Sequence, residues 1–231
     1  MSLQLILDHP TFNKTLRFLD TTPKREKTYR LVAYLSRFLS YYLQRQGFSP
    51  EAVATCISVK NNVSTIRKAM RFGKPLWHIR DASKVYRNKN LAFRWLQIFR
   101  NLFYAGYLTC DGLVLLKAIG IINKGKLPNV GTWAARFWLL GVISSLLGGI
   151  QKVVSYNKFK KELRQEEKDL DKLKAVNENL YVAKRKIVWD LLDGFIALNT
   201  LKYLNFTEGD IGLAGVITSL MGLTDMWRAT A

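Results

Sequence analysis

The stretch from Ser49 to Pro75, SPEAVATCISVKNNVSTIRKAMRFGKP, constrains the chain most, because its punctuation and its period specify the same element. Ser49 can cap a helix N-terminus, Pro50 suits the first helical position, and Glu51 suits the positive end of the dipole. Gly73 and Pro75 stop the helix. Ala52, Cys56, Val59, Val63, Ile66 and Met70 recur in alternating steps of four and three, which on a helix is one narrow apolar stripe. Lys60, Arg67, Arg71 and Lys74 run along one edge of that stripe, with Lys68 further round, and Asn61, Ser64 and Thr65 fill much of the polar side. No acid interrupts Ala52 to Lys74. Three readings fit such a helix: a stripe packed on a core, an interfacial helix on an anionic membrane, and a nucleic-acid-binding helix.

The rest of the chain shows no sustained strand-like alternation, so an all-α fold is expected. A short helix is predicted over Thr11–Leu19. Thr22 and Pro23 then restart a helix that runs to Gln46, with Arg25, Lys27, Arg30, Arg37 and Arg45 on its basic side. After Pro75 come one or two helices mixing Trp77, Arg80, Lys84, Tyr86, Arg87, Lys89, Arg94, Trp95 and Arg100. Such mixing suits a membrane interface, where rings and snorkelling cations both sit, and also single-stranded nucleic acid. Leu102–Ile122 is apolar apart from Asp111 and Lys117, and a Gly/Pro/Asn spacer follows. Trp133–Ile150 is 18 residues with one charge, Arg136, and is the best candidate span. Its Gly141, Ser144, Ser145, Gly148 and Gly149 invite close helix contact. Tyr156–Lys186 is highly charged, with a 3.5-residue apolar repeat broken at Glu166, Asn177 and Lys184, and reads as an exposed helix or helical hairpin. Ile187–Leu204 is apolar around Asp190 and Asp193, Thr207–Asp210 reads as a turn, and Ile211–Leu223 is a last apolar run.

Charge separates the readings of the first helix. Residues 1–100 hold 19 basic side chains against 5 acids, and residues 101–231 hold 17 against 12, within a chain of net charge +19. A basic half joined to an apolar half suits a polyanionic surface over an embedded region, with a cytosolic N-terminus under the positive-inside rule. No RNA-recognition or finger motif accompanies the charge. Asp190 and Asp193 lie within a turn or two of Lys184, Arg185 and Lys186, which suits ion pairs better than paired acid–base catalysis. His9 and His78 have no metal-ligand spacing, and Cys56 and Cys110 form no CxxC, so buried thiols in a reducing compartment are expected. Ser144-Ser145 lacks the nucleophile-elbow pattern, no phosphate-loop motif occurs, and neither an enzyme nor a cofactor is expected. The first residues do not read as a secretory signal, since Leu3 to Leu7 is short and has no basic flank, and the C-terminus is not the Ser-Lys-Leu peroxisomal address.

These residues resemble the peroxin-11 family of peroxisomal membrane elongation proteins along nearly the whole chain. HPTFNKTLRFLDTTPKREKTYRLVAYLSRFL resembles the family's opening, STIRKAMRFGKPLWHI its amphipathic helix, NLFYAGYLTCDGLVLL its middle apolar segment, and WDLLDGFIALNTLKYL with GVITSLMGLTDMW its close. The resemblance implies one domain over 1–231, an all-α, membrane-associated helical bundle. It would comprise a basic N-terminal region 1–100 with the amphipathic helix 49–74, apolar helices 101–150, a charged helical segment 151–186 and apolar C-terminal helices 187–231. It further implies peroxisomal membrane remodelling: the helix inserts into anionic membrane, curves it and promotes proliferation and fission. By position, Lys60, Arg67, Lys68, Arg71 and Lys74 would meet headgroups, and Val59, Val63, Ile66 and Met70 would meet acyl chains. Gly73 stands where the family helix often has an apolar residue, so insertion is expected to stop a turn early. Self-association, a dynamin-related GTPase and its tail-anchored fission adaptor are the partners implied. Two alternatives stay open. One is a pore for small metabolites, motivated by Asp111, Lys117, Arg136, Asp190 and Asp193 in apolar segments; the other is a scaffold that recruits fission factors.

Overall fold

The computed structural model describes residues 7–86, 90–123, 125–165 and 170–230; the expectations placed on residues 3–6 and on Arg87, Lys89 and Glu166 lie outside these. The described residues form eight α-helices and no strand, an all-α bundle architecture. They are α1 (Pro10–Leu19), α2 (Thr22–Arg45), α3 (Pro50–Met70), α4 (Lys74–Val85), α5 (Leu91–Ala118), α6 (Val130–Gln165), α7 (Leu170–Thr200) and α8 (Glu208–Arg228). Helix ends follow local chemistry. The Nδ1 of His9 accepts the Thr11 N–H at 3.2 Å and caps α1, with Pro10 at its first position. Changes of polarity end no helix: α5 passes from the basic, aromatic stretch into the apolar one, and α7 does the same after Lys186.

The chain divides into two compact units. One holds the chain up to Phe72, Leu115–Asn123 and Asn205 onward; the other holds Gly73–Val114 and Lys124–Leu204.

In the first unit α2 is central, with α1, α3 and α8 packed on it. Its buried positions are small or polar: Glu26, Arg30, Ala33, Ser36 and Ser40. Small residues permit close helices, and α8 answers with glycine at every third position. A Cβ added to Gly212 would lie 2.7 Å from the Phe38 backbone nitrogen, and one added to Gly215 would lie 2.0 Å from a Tyr34 ring carbon. Only glycine allows that approach. Alongside, the buried Arg30 donates from Nη2 to Thr218 Oγ1 at 2.9 Å. The Thr207–Asp210 segment expected as a turn is the N-terminus of α8. Thr207 Oγ1 accepts the Asp210 N–H at 3.2 Å, while Asp210 Oδ2 accepts the Thr207 N–H at 3.0 Å. That reciprocal capping box satisfies two orphan donors.

The second unit contains α4, most of α5, α6 and α7, with α6 and α7 packed along each other as a hairpin. The small residues of α6 meet side chains from both neighbours. A Cβ on Gly141 would be 3.0 Å from Tyr104 of α5, and one on Gly149 would be 3.2 Å from Ile187 of α7. Among the described residues α6 is the one helix long and apolar enough to cross a membrane. Trp133–Ile150 spans about 27 Å at helical rise, close to the roughly 30 Å of a hydrocarbon core. Leu140, Ile143, Leu147, Ile150 and Val154 form an exposed apolar stripe along it, as a lipid-facing side requires.

Candidate membrane-binding site

The α3 helix forms where its sequence directs. Ser49 Oγ accepts the Ala52 N–H at 3.3 Å, Pro50 opens the helix, and Glu51 lies in the first turn. It ends at Met70, with Arg71 as cap, and Gly73 takes the left-handed conformation at φ 87° that a side chain would resist. Lys74 therefore begins α4 and does not extend the α3 basic edge.

No residue of α3 is fully buried, in contrast to its neighbours α2 and α8. Its half-buried side takes in both the apolar stripe and the basic edge: Val59, Lys60, Val63, Arg67, Met70 and Arg71 are all half-buried, as is Lys68. Ile66, at 45% exposure, and Ile57 are the large apolar side chains of α3 left open. Asn61, Asn62, Ser58 and Thr55 make the outer face. The helix thus turns its predicted membrane-binding side partly towards α2.

A polar pair ties α3 to α2. Arg67 donates from Nε at 3.0 Å and from Nη2 at 2.9 Å to Glu26 Oε1, and the two side chains are 11% and 9% exposed. Lys60, Ser64 and Arg67 lie at i, i+4 and i+7, one face of a helix. With Ala33, Tyr34 and Arg37 of α2 and Glu208 of α8 they line a cavity of about 290 Å³. Arg37 grips Glu208 through two hydrogen bonds of 2.7 Å. The guanidinium hydrogen bonds hold the Glu208 carboxyl below its ordinary range, with Lys60 adding to the effect. The five predicted cations therefore divide. Lys60 and Arg67 share a cavity wall, Lys68 and Arg71 lie elsewhere on α3, and Lys74 is on the next helix.

The charges named for a pore have individual surroundings. Asp190 is 1% exposed and is held by Lys186, one turn away on α7, and by Ser145, whose Oγ donates to its Oδ2 at 2.8 Å. Asp193 is buried and accepts Trp189 Nε1–H at 3.0 Å. Asp111 is buried, Lys117 half-buried, and Arg136 exposed with its guanidinium 5.0 Å from the centre of the Trp133 ring. Sequence reasoning assigned no site role to Glu26 or Glu208, placed Arg37 only on the basic side of its helix, and placed Ser145 only among residues of close helix contact. Glu26 carried one signal, as a lone acid in the basic helix α2.

The sequence pattern described as "Peroxisomal biogenesis factor 11 (PEX11)" matches residues 12–227. The "Peroxisomal membrane protein PMP27" of Saccharomyces cerevisiae is 33% identical, with all of both chains covered. "Peroxisomal biogenesis factor 11" of Schizosaccharomyces pombe is 27% identical over 97% of this chain and 98% of its own. "Peroxisomal membrane protein 11A" of Homo sapiens is 23% identical over 90% of this chain and 93% of its own. No solved structure matches. With the family pattern covering nearly every helix described above, the chain belongs to the peroxisomal biogenesis factor 11 family of peroxisomal membrane proteins.

Proposed function

We propose that this peroxisomal membrane protein promotes peroxisome proliferation by releasing α3 from α2 into an anionic leaflet, where the helix acts as a wedge. The observation that carries this reading is the way α3 is held. It buries no residue fully, and Arg67 joins it to Glu26 of α2 through two hydrogen bonds. A helix held through a polar pair can exchange one anion for another, so that lipid phosphates replace the Glu26 carboxylate beside Arg67. Release also frees the half-buried Val59, Val63 and Met70 to join the exposed Ile66 against acyl chains.

The energies are balanced. Fully burying a large aliphatic side chain yields about 1.5–3 kcal/mol, of which a shallow helix obtains a part. Each Lys or Arg near an anionic surface adds on the order of 1 kcal/mol. The two contributions are comparable and neither alone binds strongly, so insertion requires anionic lipid and falls with salt.

The experiment is tubulation of mixed phosphatidylcholine–phosphatidylserine vesicles by the full chain. Lys68→Glu with Arg71→Glu leaves the Glu26–Arg67 pair in place and should abolish tubulation at equal protein loading. Undiminished tubulation by that variant, or equal tubulation of pure phosphatidylcholine vesicles, would sink the wedge.

Self-association and recruitment of a dynamin-related GTPase with its adaptor belong to the same proposal. Crosslinking in intact organelles should capture them on exposed helices. A metabolite pore is the second reading, favoured by Arg136 standing exposed on the candidate span; single-channel recordings should then change when Arg136→Gln is introduced.

A further inference from the structure

The second unit contains a polar cavity that the wedge does not use. It measures about 370 Å³ and is walled by Gln97 and Arg100 of α5, Ser145, Gly148, Gly149, Lys152 and Tyr156 of α6, and Lys186 with its neighbours on α7. Three cations from three helices converge there. Lys186 shares its charge with Asp190 below and also donates to Ser145 Oγ at 3.1 Å. Arg100 and Lys152 are set against rings, Arg100 at 5.1 Å from the Tyr104 centroid and Lys152 at 5.3 Å from that of Phe93. Such contacts fix a cation's position without neutralising it. The glycines keep the wall open, since a Cβ on Gly148 would lie 3.0 Å from Gln97 Nε2.

The position of the three cations along their helices says what they face. Arg100 lies two residues before the apolar run that starts at Leu102. Lys152 lies two residues after the run that ends at Ile150, and Lys186 immediately precedes the run that starts at Ile187. All three helices change from polar to apolar at the level of this cavity, the level at which phosphates lie when α6 spans a membrane. Basic pockets between membrane helices at that level suit anionic headgroups. Arg offers a planar fork to phosphate oxygens and Lys a point charge, while Tyr156 and Gln97 add neutral hydrogen-bonding groups.

The geometry points to a binding site for a phosphate-bearing anion in the cavity between α5, α6 and α7, with Arg100, Lys152 and Lys186 as its ligands. The site is independent of α3 and of its release. The full chain, purified in a neutral detergent, is titrated calorimetrically with dioctanoyl phosphatidic acid, with inorganic phosphate, and with dioctanoyl phosphatidylcholine. Phosphatidic acid should bind saturably. Arg100→Gln with Lys152→Gln should weaken it about 25-fold, about fivefold for each cation. Lys158→Gln with Lys161→Gln removes the same charge from the exposed far end of α6 and should leave binding as it was. Lys152→Gln alone, at an exposed position, should cost about fivefold even where the double variant proves unstable. Inorganic phosphate displacing the lipid at comparable concentration identifies the ligand as free phosphate, and phosphate displacing it only weakly identifies a headgroup; either supports the site. Unaltered binding in Lys152→Gln, an equal loss in the Lys158/Lys161 variant, equal binding of phosphatidylcholine, or no saturable binding would overturn it.

Discussion

Glu26→Gln should loosen α3 without unfolding the unit that carries it. The carboxylate is 9% exposed and accepts two hydrogen bonds from a guanidinium that is 11% exposed. Removing one partner of a buried pair costs about 3–5 kcal/mol when the remaining charge is left uncompensated. Glutamine keeps an acceptor oxygen in place, so the loss is nearer the roughly 1.5–3 kcal/mol of a hydrogen bond to a charged group. Because α3 buries no residue fully, the loss falls on its opening from α2 and not on global unfolding. Opening should become roughly 10- to 150-fold more frequent at about 1.4 kcal/mol per decade. Hydrogen exchange of the full chain reads this directly. Amides between Cys56 and Met70 should exchange faster by that factor, while those of Gly212–Ser219 on α8 keep their protection. Adding Arg67→Gln should recover part of the protection, since the stranded charge is gone. Unchanged exchange in α3, or an equal rise in α8, would refute the idea that this pair holds a separately releasable helix.

Other consequences follow from the same contacts. Gly212→Ala should destabilise the α2–α8 contact by about 1–3 kcal/mol through overpacking, seen as a lower denaturation midpoint, because its Cβ would meet the Phe38 backbone at 2.7 Å; an unchanged midpoint would contradict the close approach. Thr207→Ala removes one half of the capping box and should cost about 0.5–2 kcal/mol, measured in the same denaturation series. Glu208 and Asp210 both have lowered folded pKa values, from the Arg37 and Thr207 hydrogen bonds respectively. Their contribution to stability is therefore complete above the ordinary carboxylate range, near pH 4, and is lost as pH falls through the lowered folded values. Melts of Arg37→Gln should show a smaller loss of stability on acidification than the parent chain. Leu140→Lys places a charge near the middle of the candidate span and should oppose insertion by roughly 2.5–3.5 kcal/mol, seen as an increased alkali-extractable fraction of the protein.

The local marks were legible and the partnerships were not. Ser49, Pro50 and Gly73 bound α3 because caps and stops act within one turn of chain. The small residues of α6 likewise announced close neighbours, and Lys186–Asp190 is an i, i+4 pair visible in the sequence. What escaped was direction. The stripe of α3 specifies that one side is apolar, but which side meets α2 depends on Glu26, 41 residues from Arg67. The same holds for Arg37 and Glu208, 171 residues apart. Two local errors have physical causes. The capping box at Thr207 reads as a turn in the sequence, because Gly209 and two acids signal a turn as strongly as they signal a helix start. The apolar stretches from Leu102 and Ile187 look like separate segments in the sequence, although hydropathy changes do not break a helix when no Gly, Pro or cap intervenes at the change.

The central claim is that α3 must leave α2 before the membrane bends. In a background with Cys56 and Cys110 replaced by serine, Ala33→Cys and Ser64→Cys place thiols on opposite walls of the α2–α3 cavity. A short cleavable bifunctional thiol reagent then ties the helices together in the full chain. Vesicles of phosphatidylcholine and phosphatidylserine should stay round with the tied protein and tubulate once the tie is cleaved. Tubules formed equally well by the tied protein would contradict the release of α3.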